Sequence, residues 1–130
     1  MKRSLQLNPD NRPATWEQIE YWRGTHEMAP VETSLGWFHA DPLSVSERMK
    51  GSIEQFDVLP TLNIDGTLTW KQPGGIYTSL TKAELITAYN EVKTRRAIRA
   101  SLLHVRAAEF NQMNPTPTVN QLKDLSFWLV

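Results

Sequence analysis

The stretch of sequence that decides the fold is GWFHADPLS at residues 36–44. Its aromatic first half predicts a short strand over residues 35–40, in which successive side chains point to opposite faces. The Asp-Pro pair predicts the end of this strand. Ser44 then predicts the start of a helix, because Glu47 stands three positions later and the two side chains can form a capping box. The segment therefore predicts a strand followed at once by a capped helix.

A group of further strands is predicted toward the C-terminus. Residues 61–64 and 67–70 flank the dipeptide Asp65-Gly66, which is a strong signal for a hairpin turn. The Pro-Gly-Gly sequence at residues 73–75 predicts a second turn, and residues 76–78 predict a third strand. Together these segments predict a three-stranded antiparallel meander.

A long helix is predicted after the meander. Thr81 and Glu84 can form another capping box at its start, and no proline or glycine follows until Pro115. The sequence therefore predicts one helix over residues 82–112, which would be about 45 Å long at 1.5 Å per residue. The predicted fold class is α+β: a small antiparallel β-meander, a capped short helix and one long C-terminal helix packed on the meander.

The predicted long helix has apolar residues on two opposite faces. One face carries Leu85, Tyr89, Val92, Leu103 and Phe110. The opposite face carries Ile98, Leu102 and Val105. A helix that is apolar on two sides needs two packing partners. One partner would be the meander, and the other would be the C-terminal segment or another subunit.

Short helices are predicted near both ends of the chain. Thr15 and Gln18 predict a capping box at the start of a helix that ends at Gly24. Thr118 and Gln121 predict a fourth capping box and a short helix. Residues 25–35, between the first helix and the aromatic strand, are expected to form a loop.

The predicted domain organisation separates an N-terminal extension from the rest of the chain. We expect residues 1–33 to form a helical extension, with a short strand at residues 4–7, and residues 34–130 to form one α+β domain. The chain ends in the apolar sequence FWLV at residues 127–130. We expect this end to dock onto protein, since an exposed apolar segment favours association.

The composition excludes several classes of function. The 130 residues include 14 basic and 14 acidic residues, so no net charge attracts nucleic acid or an anionic membrane. Cysteine is absent, which excludes disulfides, thiolate metal sites and cysteine nucleophiles. No segment resembles a signal peptide or a membrane span, so we expect no membrane partner. Five tryptophans indicate a partner surface, because tryptophan is enriched at interfaces.

Catalytic and metal sites have little support in the sequence. His39 and Asp41 would lie on the same face of the predicted strand, but a metal site needs three or four ligands and no other cluster supplies them. A nucleophile elbow, a phosphate loop and an HExxH motif are all missing from the sequence. We therefore expect a non-enzymatic protein without catalytic residues, cofactor or metal.

The basic residues are concentrated on the predicted long helix. They are Lys93, Arg95, Arg96, Arg99 and Arg106. Glutamates of the same helix reduce the charge, and three of the arginines share a side with apolar residues. This pattern favours arginine stems that cover apolar surface and guanidinium groups that pair with carboxylates. We expect no nucleic-acid partner, and a small nucleic-acid-binding regulator is the more distant alternative.

The order of the motifs resembles a phage and prophage domain family of uncharacterised function. The matching positions are Gly36, Trp37, Phe38, His39, Asp41, Ser44, Trp70, Lys71, Tyr77, Leu80, Thr81, Glu84 and Leu85, with Leu122 and Trp128 in a closing motif. The resemblance covers residues 34–128. Members of this family occur among tail-fibre and baseplate genes. The family brings no catalytic residues, so these positions are interpreted as fold determinants.

The resemblance implies a bacteriophage tail structural protein that contacts tail fibre or baseplate subunits, with self-association as a further option. A tail-fibre assembly chaperone is the alternative. The protein would reside in the virion tail, or in the host cytoplasm during assembly. The candidate partner-binding residues are large apolar side chains: Trp16, Trp22, Ile98, Leu102, Val105, Phe127, Trp128 and Leu129.

Overall fold

The structure is a computed structural model that describes residues 9–129, and its fold is α+β, as the sequence predicts. In this part of the chain the α-helices are α1 (Trp16–Glu27), α2 (Lys50–Gln55), α3 (Lys82–Gln112), α4 (Val119–Leu122) and α5 (Leu125–Trp128). The strands are β1 (Val31–Thr33), β2 (Gly36–Phe38), β3 (Leu68–Gln72) and β4 (Ile76–Leu80). A π-helical segment, Leu43–Met49, leads directly into α2. The strand predicted over residues 4–7 lies outside the described residues.

The described residues pack as two units. The first contains the residues up to Glu27 and those from Arg99 onward, and the second is Met28–Ile98. These units cut across the predicted boundary between residues 33 and 34. The reason is that Ile19 of α1 joins the core of the C-terminal segment, whereas β1 pairs with β2 in the other unit.

Three of the four predicted capping boxes are confirmed. In each, the threonine N–H donates to the Gln or Glu side chain, and that residue's own N–H donates back to the threonine hydroxyl. The pairs are Thr15 with Gln18, Thr81 with Glu84 and Thr118 with Gln121. They fix the starts of α1, α3 and α4. Helix α3 has 31 residues, so the prediction of one long helix is confirmed.

The remaining predicted capping box, between Ser44 and Glu47, is wrong. The Asp41 carboxylate instead accepts the N–H of Ser44 at 3.1 Å and its hydroxyl at 2.8 Å. Proline suits the first position of a helix, because its missing N–H has no partner there and its φ is already helical. Pro42 therefore favours a helical start with Asp41 as the capping side chain. Ser44 and Glu47 lie inside the first turns.

Helix α1 and strand β1 also differ from the sequence-based expectation. Helix α1 continues through Gly24 to Glu27, and ion pairs from Arg23 to Glu20 and Glu27 span this region. The expected loop at residues 25–35 contains strand β1, which pairs antiparallel with β2. A three-residue strand offers too few alternating positions to show a period of two in the sequence.

The second unit contains two antiparallel hairpins rather than one three-stranded meander. In the predicted strand at residues 61–64, only Leu62 forms a β-bridge, to Leu68. The Asn63 side chain donates to two threonine hydroxyls, and the Asp65 carboxylate accepts the N–H of Thr67. These local side-chain bonds close the turn and compete with a regular ladder.

The core of the second unit joins both hairpins to the long helix. Phe38, Met49 and Leu80 are buried against Leu85 and Val92 of α3, so the prediction that the helix packs on the strands is confirmed. The buried Gln72 side chain donates to the carbonyls of Leu35 at 3.2 Å and Trp37 at 3.0 Å. This amide ties β3 to the first hairpin.

Candidate interaction surfaces

The apolar C-terminal segment docks onto its own chain. Trp128 is 0% exposed, and its indole N–H donates to the carbonyl of Leu122 at 2.9 Å. Its ring lies edge-on to that of Phe110, with centroids 4.8 Å apart. The Arg106 guanidinium donates to the backbone carbonyls of Phe127 and Trp128. Helix α5 is therefore packed within the first unit through Phe127 and Trp128.

This arrangement changes the roles of several candidate partner-binding residues. Trp128 has no exposed area to offer a partner, so its assignment to a partner surface is corrected. Phe127 is half-buried and stacks on Phe110 with centroids 5.1 Å apart. Trp22 is also half-buried and belongs to the same core. Leu129 and Trp16 stay accessible, with 42% and 44% of their surface exposed.

His26 is buried in the first unit, and the sequence analysis did not predict this burial. Its Nε2 lies 2.6 Å from the carbonyl oxygen of Leu122. Because a carbonyl only accepts, Nε2 carries the proton and donates it. The ring also packs against Trp22 and Trp128, each at a centroid distance of 5.8 Å. His26 therefore has a packing role that fully accounts for its burial.

The long helix presents an exposed apolar stripe, which we define as Ile98, Leu102 and Val105. Their exposed fractions are 66%, 39% and 55%. Spacings of four and three residues place them on one face of α3. The residues predicted for the other face, such as Leu85 and Leu103, are buried. Within the described residues, the helix is therefore buried on the first predicted face and exposed at the three stripe residues.

Several basic residues of the long helix contact groups of their own chain. Arg106 pairs with Glu109 at 3.1 Å in addition to its bonds to the C-terminal carbonyls. Arg99 donates to the Glu27 carbonyl at 3.0 Å. Lys93 lies over the ring of Tyr89 at 4.3 Å. Of these contacts, only the one between Arg106 and Glu109 is the predicted pairing with a carboxylate. The expectation of no nucleic-acid partner stays a prediction.

A cavity of about 550 Å³ lies within the second unit. Its walls come from the end of β2, the π-helical segment, α2 and β3. The lining residues are His39, Ser44, Glu47, Arg48, Met49, Gly51, Ser52, Gln55, Leu59, Trp70 and Lys71. Four of these, His39, Ser44, Trp70 and Lys71, belong to the motifs that the sequence interpretation assigned to the fold alone.

The Asp41 carboxylate beside this cavity is committed to the local structure. Partial burial acts to raise its pKa, but the hydrogen bonds from the hydroxyl and N–H of Ser44 act against burial and hold the pKa below its ordinary value. The positive field of His39 acts in the same direction. Among the described residues, no group of three or more His, Cys, Asp and Glu side chains could hold a metal ion.

Comparison with known proteins gives no match: no family model, curated protein or solved structure is similar to this chain. Over the described residues, every helix is too short or too polar to cross a membrane.

Proposed function

We propose that this protein is a non-enzymatic structural component of a bacteriophage tail that contacts tail fibre or baseplate subunits. The motif order of the sequence is the basis for the phage assignment. The observation that carries the docking role is the exposed apolar stripe on α3.

The stripe has the chemistry of a contact surface. Fully burying one Val, Leu or Ile side chain contributes about 1.5–3 kcal/mol. Scaled by the exposed fractions of the three residues, covering the stripe would contribute about 2–5 kcal/mol. A contribution of this size is comparable with that of a hot-spot residue at the centre of a protein interface.

The apolar residues on the opposite side of α3 are packed internally, whereas the stripe is exposed. Leu85, Val92, Leu103 and Phe110 are already buried in the cores of their own units. The stripe residues are absent from both cores. A tail subunit that covers the stripe would therefore add contacts without disturbing the packing of α3.

Site-specific photo-crosslinking tests this function. A photoreactive phenylalanine derivative at Val105 should crosslink to a fibre or baseplate protein when the protein is produced during phage infection. The matched control is Asn111, which is exposed on the same helix but does not belong to the stripe. Equal crosslinking from both positions, or none from Val105, would contradict the docking role.

A tail-fibre assembly chaperone would use the same stripe, but transiently. Crosslinks to fibre protein in infected cells, together with absence from finished particles, would favour the chaperone over the structural component. A crosslink between two copies of this chain would identify self-association, which size-exclusion chromatography with light scattering would detect independently.

A further inference from the structure

We propose that the cavity in the second unit binds an anionic ligand with an apolar, preferably aromatic, body. This inference does not depend on the tail function, since the cavity and the stripe share no residue. The ligand class follows from the shape of the cavity, its charge and the helix that forms its wall.

The volume of the cavity and its apolar lining residues suit a compact apolar group. Its volume of about 550 Å³ lies within the range of about 300–1,000 Å³ that is typical of ligand pockets. Met49, Leu59 and Trp70 supply apolar surface. The half-buried Trp70 contributes an aromatic side chain, against which a ring of the ligand can pack.

The charges at the cavity favour an anion. Among the lining residues, Arg48 and Lys71 contribute two cationic side chains, against the one carboxylate of Glu47. Within residues 9–129, neither Arg48 nor Lys71 has a side-chain hydrogen bond or an ion pair. Lys82 of the same unit, by contrast, pairs with the carboxylate of Asp57 at 3.0 Å. The cavity thus retains two unpaired cations, and a guanidinium matches the geometry of a carboxylate.

The wall that carries Arg48 is π-helical. The N–H of Lys50 reaches back five residues to the carbonyl of Val45, which is the hydrogen bond of a π-helix. Ser44 and Met49, five residues apart, both line the cavity. π-Helical segments are rare and occur frequently at functional sites. Here the segment brings Arg48 and Met49, a cation and an apolar group, to one cavity.

A matched pair of probes tests the charge requirement. Titration of the ¹⁵N-labelled protein with 2-naphthylacetate, followed by NMR, should shift the amides of the cavity residues and the indole of Trp70. The neutral 2-naphthylacetamide has nearly the same shape and should bind at least tenfold more weakly. Equal affinities for acid and amide would overturn the proposal, as would shifts confined to other parts of the chain.

Charge variants locate the binding site. Arg48→Gln and Lys71→Gln should each weaken binding of the acid several-fold, while Glu47→Gln should strengthen it because a repelling carboxylate is removed. Lys50→Gln is the matched control, since Lys50 is exposed and adjacent to the wall but does not line the cavity. A loss of affinity in Lys50→Gln equal to that in Arg48→Gln would contradict a specific site.

A substitution at Trp70 separates the apolar from the ionic contribution to binding. Trp70→Leu should weaken acid and amide by the same factor, because it removes the stacking surface and leaves both cations. An unchanged thermal midpoint shows that the variant is folded. If a folded Trp70→Leu protein binds the acid as tightly as wild type, the aromatic part of the proposal is wrong.

Two sources could supply an acid with an apolar body: a free small molecule or adjacent acidic and aromatic side chains of a peptide. The blocked dipeptide acetyl-Asp-Trp-amide and its Asn counterpart form the second arm of the titration. Tighter binding of the Asp peptide than of naphthylacetate identifies a protein source, and the reverse identifies a small molecule. Failure of both acids to bind at millimolar concentration would overturn the proposal.

Discussion

Replacing Trp128 by alanine tests whether the C-terminal segment is an internal part of the first unit. The side chain is fully buried, so its truncation removes aromatic contacts with Phe110 and His26 and leaves a cavity. Large-to-small substitutions of buried aromatic residues cost about 3–5 kcal/mol. The Leu122 carbonyl still accepts from His26, so no orphaned acceptor adds to this cost.

The expected loss is therefore about 3–5 kcal/mol in the free energy of unfolding of the first unit. Trp128→Phe keeps an aromatic ring but loses the indole hydrogen bond, and it should cost less than Trp128→Ala. Trp16→Ala is a matched control. Because 44% of Trp16 is exposed, its truncation removes fewer buried contacts and should cost less stability than Trp128→Ala.

Urea unfolding followed by far-UV circular dichroism measures these differences without relying on tryptophan fluorescence. The midpoint should fall in the order wild type, Trp16→Ala, Trp128→Phe, Trp128→Ala. A Trp128→Ala protein within about 1 kcal/mol of wild type would refute the reasoning, because a fully buried tryptophan cannot be truncated at so small a cost.

Four further outcomes follow from the same structure. Arg99→Pro, in the middle of α3, should cost about 3 kcal/mol or more; a mild loss of helical circular dichroism signal would show that the helix is interrupted there. Gly36→Ala should lower the thermal midpoint, because Gly36 has a φ of +102° and an added Cβ would lie 3.0 Å from the Gln72 amide nitrogen; an unchanged midpoint would contradict this. The Asp41 pKa is lower in the folded protein, so its stabilisation is present above the unfolded-state value of about 3.9 and is lost as the pH falls through the folded value. Asp41→Asn should flatten that acid dependence in urea unfolding, and an identical slope would exclude the role of Asp41. Val105→Asp should change stability by less than about 0.5 kcal/mol yet abolish crosslinking to tail protein, whereas a large loss of stability would show that Val105 is packed.

The features that the sequence predicted well are those set by neighbouring residues. The threonine boxes at Thr15, Thr81 and Thr118 each depend on a partner three residues later, so the pattern is visible in one short window. The length of α3 follows from the absence of proline and glycine up to Pro115. The α+β class follows from these local elements.

The features that the sequence did not predict depend on competition between neighbouring side chains for the same role, or on pairing with residues elsewhere in the chain. Both Asp41 and Ser44 can cap a helix, and only the position of Pro42 decides between them. Strand β1 is defined by its pairing with β2 rather than by its own three residues. The turn signal at Asp65 predicted a full strand over residues 61–64. That segment forms one β-bridge, from Leu62 to Leu68, and the next residue, Asn63, donates its side-chain hydrogen bonds within the turn.

The cavity could not be predicted because its walls come from three separate parts of the chain. His39, Arg48 and Trp70 belong to three different segments, and each has an ordinary local interpretation. The only available signal was that His39, Trp70 and Lys71 occur in the two most distinctive motifs. The burial of Trp128 could not be predicted either, because an apolar C-terminal sequence is compatible both with packing inside its own chain and with binding to a partner.

Mass spectrometry of purified phage particles tests the proposed tail function most directly. If the protein is a structural component, its peptides should be present in particles at a constant ratio to fibre or baseplate proteins, and Val105→Asp should lower that ratio. Absence of the protein from particles that contain complete tails would contradict the structural role.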